Sequence, residues 1–343
     1  MTTALVLAGH GSHISPHTAS VVWQHVDRLR ALGVADEVAA AFWKEPPSFH
    51  RVFESLTSQD ITVIPIFTAQ GYFTQTVIPT EMGLTGAITQ RDERVIRYAR
   101  TPNEHPELAR IVRQRVETAR EEIGAKADQI AVAVIGHSTR RNPESRQAAE
   151  QQVALLRSAG VAAEVIAVYL DDSPAIPDVY ALTNAPILIC VPFFVAAGSH
   201  TTLDVPARLG LQSGERIAEI NGRTVIYTAP VGVEESLAEV ILDLAREAGA
   251  SLHESREGSA WDHFPAVGRE ELIAAVDAAG EMVFGDLLLS LNEVSAINPV
   301  MNYHAQRTKS LRDSKIITSP ADLRAFMRGE YGVFRPLPTM RDL

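Results

Sequence analysis

The chain has 343 residues, of which 46% are hydrophobic and 21% charged, and a formal net charge of −11. That length accommodates two domains, or one duplicated core with an extension, and the composition is that of an ordinary globular protein. The negative balance argues against nonspecific nucleic-acid binding and leaves open a polyanionic small molecule held by a few local cations.

No apolar run approaches the roughly 20 residues needed to span a bilayer. The longest, residues 185–197, carries two prolines, so no membrane partner is expected. The first apolar run turns at once into glycine and histidine, shorter than a secretory signal, and the protein reads as cytoplasmic. The single cysteine, Cys190, excludes an intrachain disulfide, and no iron–sulfur cluster is expected. Any metal chemistry falls to histidine, carboxylate or water.

In chain order, residues 3–8, 37–42, 61–67 and 94–98 are short apolar runs typical of strands buried on both faces. Helices are expected between them, at 16–32, 47–56, 76–84 and 104–123, with Pro47 and Pro106 in first turns. Strands then recur near 130–135, 162–170, 187–191 and 224–227. The recurrence is a duplication. Leu29 to Val38 matches Leu156 to Val165 at seven of ten positions, an offset of 127 residues. The same offset pairs Gly9 with Gly136, His10 with His137, Pro65 with Pro192, Gly71 with Gly198 and Gly83 with Gly210.

Strand–helix alternation implies right-handed crossovers and a mainly parallel sheet in each half. The expected fold is α/β: two tandem flavodoxin-like lobes, at 1–125 and 126–250, facing each other across a cleft. A mixed or helical extension follows at 251–343, with a linker at 251–259 and a helical stretch at 269–291. The extension reads as a packing or homo-oligomer element, with a lid over the cleft as the alternative.

Ligands of open parallel sheets bind beyond the carboxyl ends of the strands. At three equivalent strand ends the first half carries His10, Lys44 and Phe73, and the second carries His137, Asp171 and His200. Only the second set offers two imidazoles and a carboxylate, groups suited to Co²⁺, Fe²⁺ or Ni²⁺ and to proton transfer. The first set reads as shaping the cleft. Asp171 and Asp172 also suit helix caps, and Asp204 reads as a helix residue bearing only on His200. Cys190 lies inside a strand and reads as a buried hydrophobe. Gly9-His10-Gly11 lacks the third glycine of a dinucleotide turn, so no nucleotide is expected, and Ser12 and Ser138 lack a hydrolase elbow.

Gly9-His-Gly-Ser12, Gly136-His-Ser-Thr-Arg140 and the run from Val191 to Pro206, with its Gly198-Ser-His200, resemble class II tetrapyrrole chelatases, in particular the sirohydrochlorin cobaltochelatase family. The resemblance spans both halves. It implies that His137, His200 and Asp171 are catalytic, and that the metal is a substrate met by His137 and His200, with His10 as a further metal residue. Phe73 departs from the pattern, in which a second histidine stands. The implied partner is sirohydrochlorin, with eight carboxylates. Arg140 and Arg141 are placed to pair with some of them. Ser138, Ser12, Lys44, His13 and Arg208 are further substrate-facing candidates, and Trp43, Tyr72, Phe73 and Phe193 are aromatic faces to flank the ring. The alternatives are a ferrochelatase toward siroheme, a noncatalytic tetrapyrrole or metal carrier, and a hydrolase.

Overall fold

The computed structural model describes residues 1–12, 17–45, 47–138 and 143–255. His13, Arg140, Arg141, the 269–291 stretch and nearly all of the expected extension lie outside the described residues.

The first repeat runs β1 (Thr3–Gly9), α1 (His17–Leu32), β2 (Glu37–Phe42), β3 (Asp60–Pro65), α2 (Ile78–Met82), β4 (Ile88–Arg91), β5 (Arg94–Tyr98) and α3 (Pro106–Glu122). The second runs β6 (Ile130–Gly136), α4 (Pro143–Ala159), β7 (Glu164–Tyr169), α5 (Val179–Leu182), β8 (Ile187–Pro192), α6 (Val205–Leu209), β9 (Ile217–Ile220), β10 (Arg223–Tyr227) and α7 (Leu237–Glu247). Each repeat forms one five-stranded sheet, ordered β2-β1-β3-β5-β4 and β7-β6-β8-β10-β9. Only the edge strands β4 and β9 run antiparallel. Every residue of β1 and of β6 is buried, as strands covered on both faces require.

The duplication extends to hydrogen bonds that hold loops to the sheet. Arg30 donates Nε to the carbonyl of Val38, and Arg157 donates to that of Val165. Glu37 accepts the backbone N–H groups of Thr57 and Ser58, and Glu164 those of Asn184 and Ala185. Arg94 donates to the carbonyls of Phe53 and Leu56, and Arg223 to those of Tyr180 and Thr183.

The chain separates into two compact units whose boundaries cross the repeats. Among the described residues, one contains Met1–Ile66, Thr76–Arg100 and 241–255; the other contains Phe67–Gln75 and Thr101–Val240. Thus α3, which closes the first repeat in sequence, packs on β8 and α4 of the second sheet. Glu247, at the end of α7, accepts from Arg100 of the first unit. Each repeat gives its last helix to the other repeat's unit.

Two local expectations change. The helix expected at 47–56 is only a short 3₁₀ turn, Val52–Ser55, and Pro47 does not open a helix. The backbone there is taken up by β2: Phe42 donates to the Pro47 carbonyl, and Phe49 donates back to Phe42. Strands β4 and β9 were not expected. They fold back on β5 and β10 through turns with positive φ at Asp92 and at Asn221-Gly222, the hairpin signature.

Candidate active site

In each sheet the order reverses between β1 and β3 and between β6 and β8, and open parallel sheets ordinarily bind ligands beyond the carboxyl ends of the strands at such a switch point. In the second repeat His137 follows β6 at once, Asp171 follows β7, and His200 heads the helical segment after β8.

That segment begins with a π-helical turn, His200–Asp204, continuous with α6. Its counterpart in the first repeat is a π-helical turn at Phe73–Val77. Proline explains both. Pro79 and Pro206 lack an N–H and would crowd the carbonyl four residues earlier, and a wider turn relieves that clash. Both turns are anchored alike, with the Thr74 and Thr201 hydroxyls donating to the Gly71 and Gly198 carbonyls. From the adjoining strand the buried Tyr227 hydroxyl donates to the Thr201 carbonyl at 2.9 Å.

The structure brings three of the expected residues together and adds a fourth. The imidazoles of His137 and His200 have ring centroids 5.8 Å apart, with planes inclined by 67°. Nε2 of His137 lies 3.4 Å from Oδ2 of Asp171, and Nδ1 of His200 lies 2.7 Å from Oδ2 of Asp204. Phe194 packs edge-on against His137. All four polar side chains are 45 to 52% exposed, open to an incoming ligand. Among the described residues, no three His, Cys, Asp or Glu side chains form a ready-made metal cage.

A model of the CbiX family matches the chain twice, over residues 4–119 and 131–248. The chain belongs to the CbiX family. Over 302 residues it is 35% identical to a protein of Halobacterium salinarum named probable sirohydrochlorin cobaltochelatase, with 81% of this chain and 99% of that one covered. A sirohydrochlorin cobaltochelatase of Methanosarcina acetivorans is 27% identical over 128 residues, 35% of this chain and 98% of its own, the length of one repeat. Among solved structures, DR2241 of Deinococcus radiodurans, described as a multi-domain protein similar to chelatases with two additional novel domains, aligns with a TM-score of 0.62 and 25% identity. The match covers 82% of this chain and 61% of that protein. The Bacillus subtilis sirohydrochlorin chelatase SirB in complex with cobalt aligns over 72% of this chain and 95% of its own, with a TM-score of 0.54 and 16% identity, a likeness of fold.

Within this CbiX-family site, Asp172 has a different task from its neighbour. It accepts from the Ser173 N–H at 2.8 Å, the Ser138 hydroxyl at 3.0 Å and Nη1 of Arg146 at 3.0 Å. These donors, the Ser173 backbone first, hold its carboxyl below the usual value. Ser138, expected to face substrate, is buried and spends its hydroxyl on this tether between the loops after β6 and β7. Arg146 also stacks its guanidinium on Tyr169, 4.6 Å from the ring centroid. The spacing of these partners, 34 and 26 residues apart, gave no signal in the sequence.

Other candidates are placed variously. Arg208 donates to the Leu170 carbonyl, which steadies the end of β7. Phe193 is 2% exposed, so it is core and flanks no ligand; the accessible aromatic neighbour is Phe194. Tyr72 is exposed, and Phe73 stacks on Phe67 at 6.0 Å. Tyr72 and Phe73 belong to the unit that holds His137 and His200.

His10, Ser12, Trp43 and Lys44 belong to the first unit. Nδ1 of His10 contacts the Gly11 carbonyl at 2.8 Å, and its ring meets Trp43 edge-on at 5.5 Å. Lys44 places Nζ 3.5 Å over the Trp43 ring, and the Ser12 N–H donates to Glu45. Cys190 is fully buried, and burial pushes its thiol well up.

Proposed function

We propose that this chain inserts a divalent cation, Co²⁺ by preference, into sirohydrochlorin or a closely related tetrapyrrole, with its chemistry at His137, His200 and Asp171. The observation that carries the reading is the paired imidazoles at the carboxyl ends of β6 and β8, with Phe73 at the position of the first repeat that corresponds to His200. The relatives' names supply the substrate class.

Insertion exchanges two pyrrole N–H protons for one metal ion, which sheds water as the ring nitrogens replace it. A metal bound to imidazole at about 2.1 Å lies about 3.2 Å from the ring centroid, so two rings can share one ion only if their centroids are within about 6.4 Å. His137 and His200, at 5.8 Å, meet that limit. Neutral imidazole suits Co²⁺, Fe²⁺ and Ni²⁺ alike, so the preference for cobalt rests on the names of the relatives. A proton taken by His137 has an acceptor in Asp171, 3.4 Å away. Lys44, Tyr72 and Phe73 are assigned to substrate contact, as are Arg140, Arg141 and His13. Ser12 joins them through its hydroxyl, and His10 is assigned to metal contact. No nucleotide takes part.

Anaerobic absorbance of sirohydrochlorin mixed with Co²⁺ tests the reading. Conversion to the cobalt complex well above the protein-free rate is expected. Tight binding of the tetrapyrrole without accelerated conversion would leave a carrier in its place.

A further inference from the structure

His200 makes one contact that metal insertion does not itself demand. Its Nδ1 lies 2.7 Å from Oδ2 of Asp204, one turn further along the same helical segment. An ionised carboxylate only accepts, and a neutral imidazole carries a single N–H. The proton of His200 therefore sits on Nδ1 and points at Asp204, which leaves the lone pair on Nε2. We infer that Asp204 is a positioning residue: it fixes the tautomer and orientation of His200 so that Nε2 is the nitrogen offered to the incoming cation or pyrrole proton. This rests on the chelatase reading above.

Two further observations separate this role from a structural one. Asp204 lies within a continuous helical run with helical φ/ψ, so it stands at no helix N-terminus and its carboxylate is not a cap. The carboxylate is spent on His200 instead. In the first repeat the equivalent positions hold Phe73 and Val77, in a turn of the same π-helical form. Imidazole and carboxylate are absent there together while the turn persists, so the pair is not what makes the turn.

His137 is held in another sense. Its Nε2 faces Asp171 at 3.4 Å, longer than a well-formed hydrogen bond. Asp204 thus lies closer to His200 than Asp171 does to His137.

The test is nitrogen-15 NMR of the histidine rings in the full chain at alkaline pH, with the His200 signals assigned by their loss in His200→Ala. Wild type, Asp204→Asn and Asp204→Glu are compared, alongside steady-state insertion of Co²⁺ into sirohydrochlorin. The expected wild-type signature is the Nδ1–H tautomer, lost or mixed in Asp204→Asn. The same variant is expected to lower kcat by about 10- to 100-fold, the usual cost of losing such an orienting partner, with KM for sirohydrochlorin little changed. Asp204→Glu should restore most of kcat. A wild-type Nε2–H tautomer, or an Asp204→Asn variant with wild-type kcat, overturns the inference alone. A wild type that inserts no cobalt overturns the parent reading and the catalytic role with it, whatever the ring signals show.

Discussion

Phe73 and His200 head the same π-helical turn, 127 residues apart in one chain, and only one of them can bind a proton or a cation. The scaffold beneath them is shared down to the threonine hydroxyl that anchors each turn. The fold therefore does not require a histidine at this position.

The first prediction uses the molecule's own alternative. His200→Phe places in the second repeat the residue the first already accommodates. Its melting temperature is expected to stay close to wild type, while the insertion rate falls by about 10² to 10⁴, the range for loss of a positioned proton-transfer group. Thermal unfolding and the absorbance assay on one preparation decide it; a large fall in melting temperature would mean that the turn depends on the imidazole.

Glu37 and Glu164 allow a matched comparison of stability. Both accept two backbone N–H groups from the loop before the next strand, but Glu37 is 4% exposed and Glu164 is partly solvated. Glu37→Ala strands the N–H and hydroxyl of the buried Ser58 and should cost about 1–3 kcal/mol. Water can reach the donors left by Glu164→Ala, which should cost less. Urea denaturation of both variants checks the order.

Asp172 should contribute to acid stability. Its carboxyl is held low by the Ser173 N–H, the Ser138 hydroxyl and Arg146, so its native pKa lies below the unfolded one. A depressed carboxylate stabilises fully above the unfolded value, about pH 4, and that contribution is lost as pH falls through the native value. Asp172→Asn should therefore narrow the difference in melting temperature between pH 7 and pH 3. An unchanged difference would mean that the tether contributes nothing to acid stability.

Cys190 should be inert. It is fully buried in β8 and burial pushes the thiol up, so a thiol reagent at pH 8 should label it only when urea unfolds the chain. Rapid labelling of the native protein would refute its placement in the core.

Much of this was legible in the sequence, for a physical reason. Strands buried on both faces read as uninterrupted apolar runs, and β1, β2 and β3 recur in β6, β7 and β8 without a register change. After Gly210 the strands recur at an offset of 129, because the connection into β9 is longer than that into β4. Edge strands β4 and β9 are short and half solvated, which blurs their pattern, although Asn221-Gly222 marked a hairpin. Residues 47–56 looked helical because composition does not reveal a backbone already bonded to β2. At the site, His137, Asp171 and His200 stood out because the duplication supplied a contrast. The Ser138–Asp172–Arg146 tether did not, since its partners meet only once β6, β7 and α4 are assembled.

The most direct measurement compares the equivalent histidines in one assay: anaerobic conversion of sirohydrochlorin with Co²⁺ by wild type, His10→Ala, His137→Ala and His200→Ala. Loss of conversion in His137→Ala and His200→Ala, with substantial conversion kept in His10→Ala, is the expected result and assigns the chemistry to the second repeat. Conversion that survives both second-repeat substitutions and disappears in His10→Ala would contradict it and move the active centre to the first.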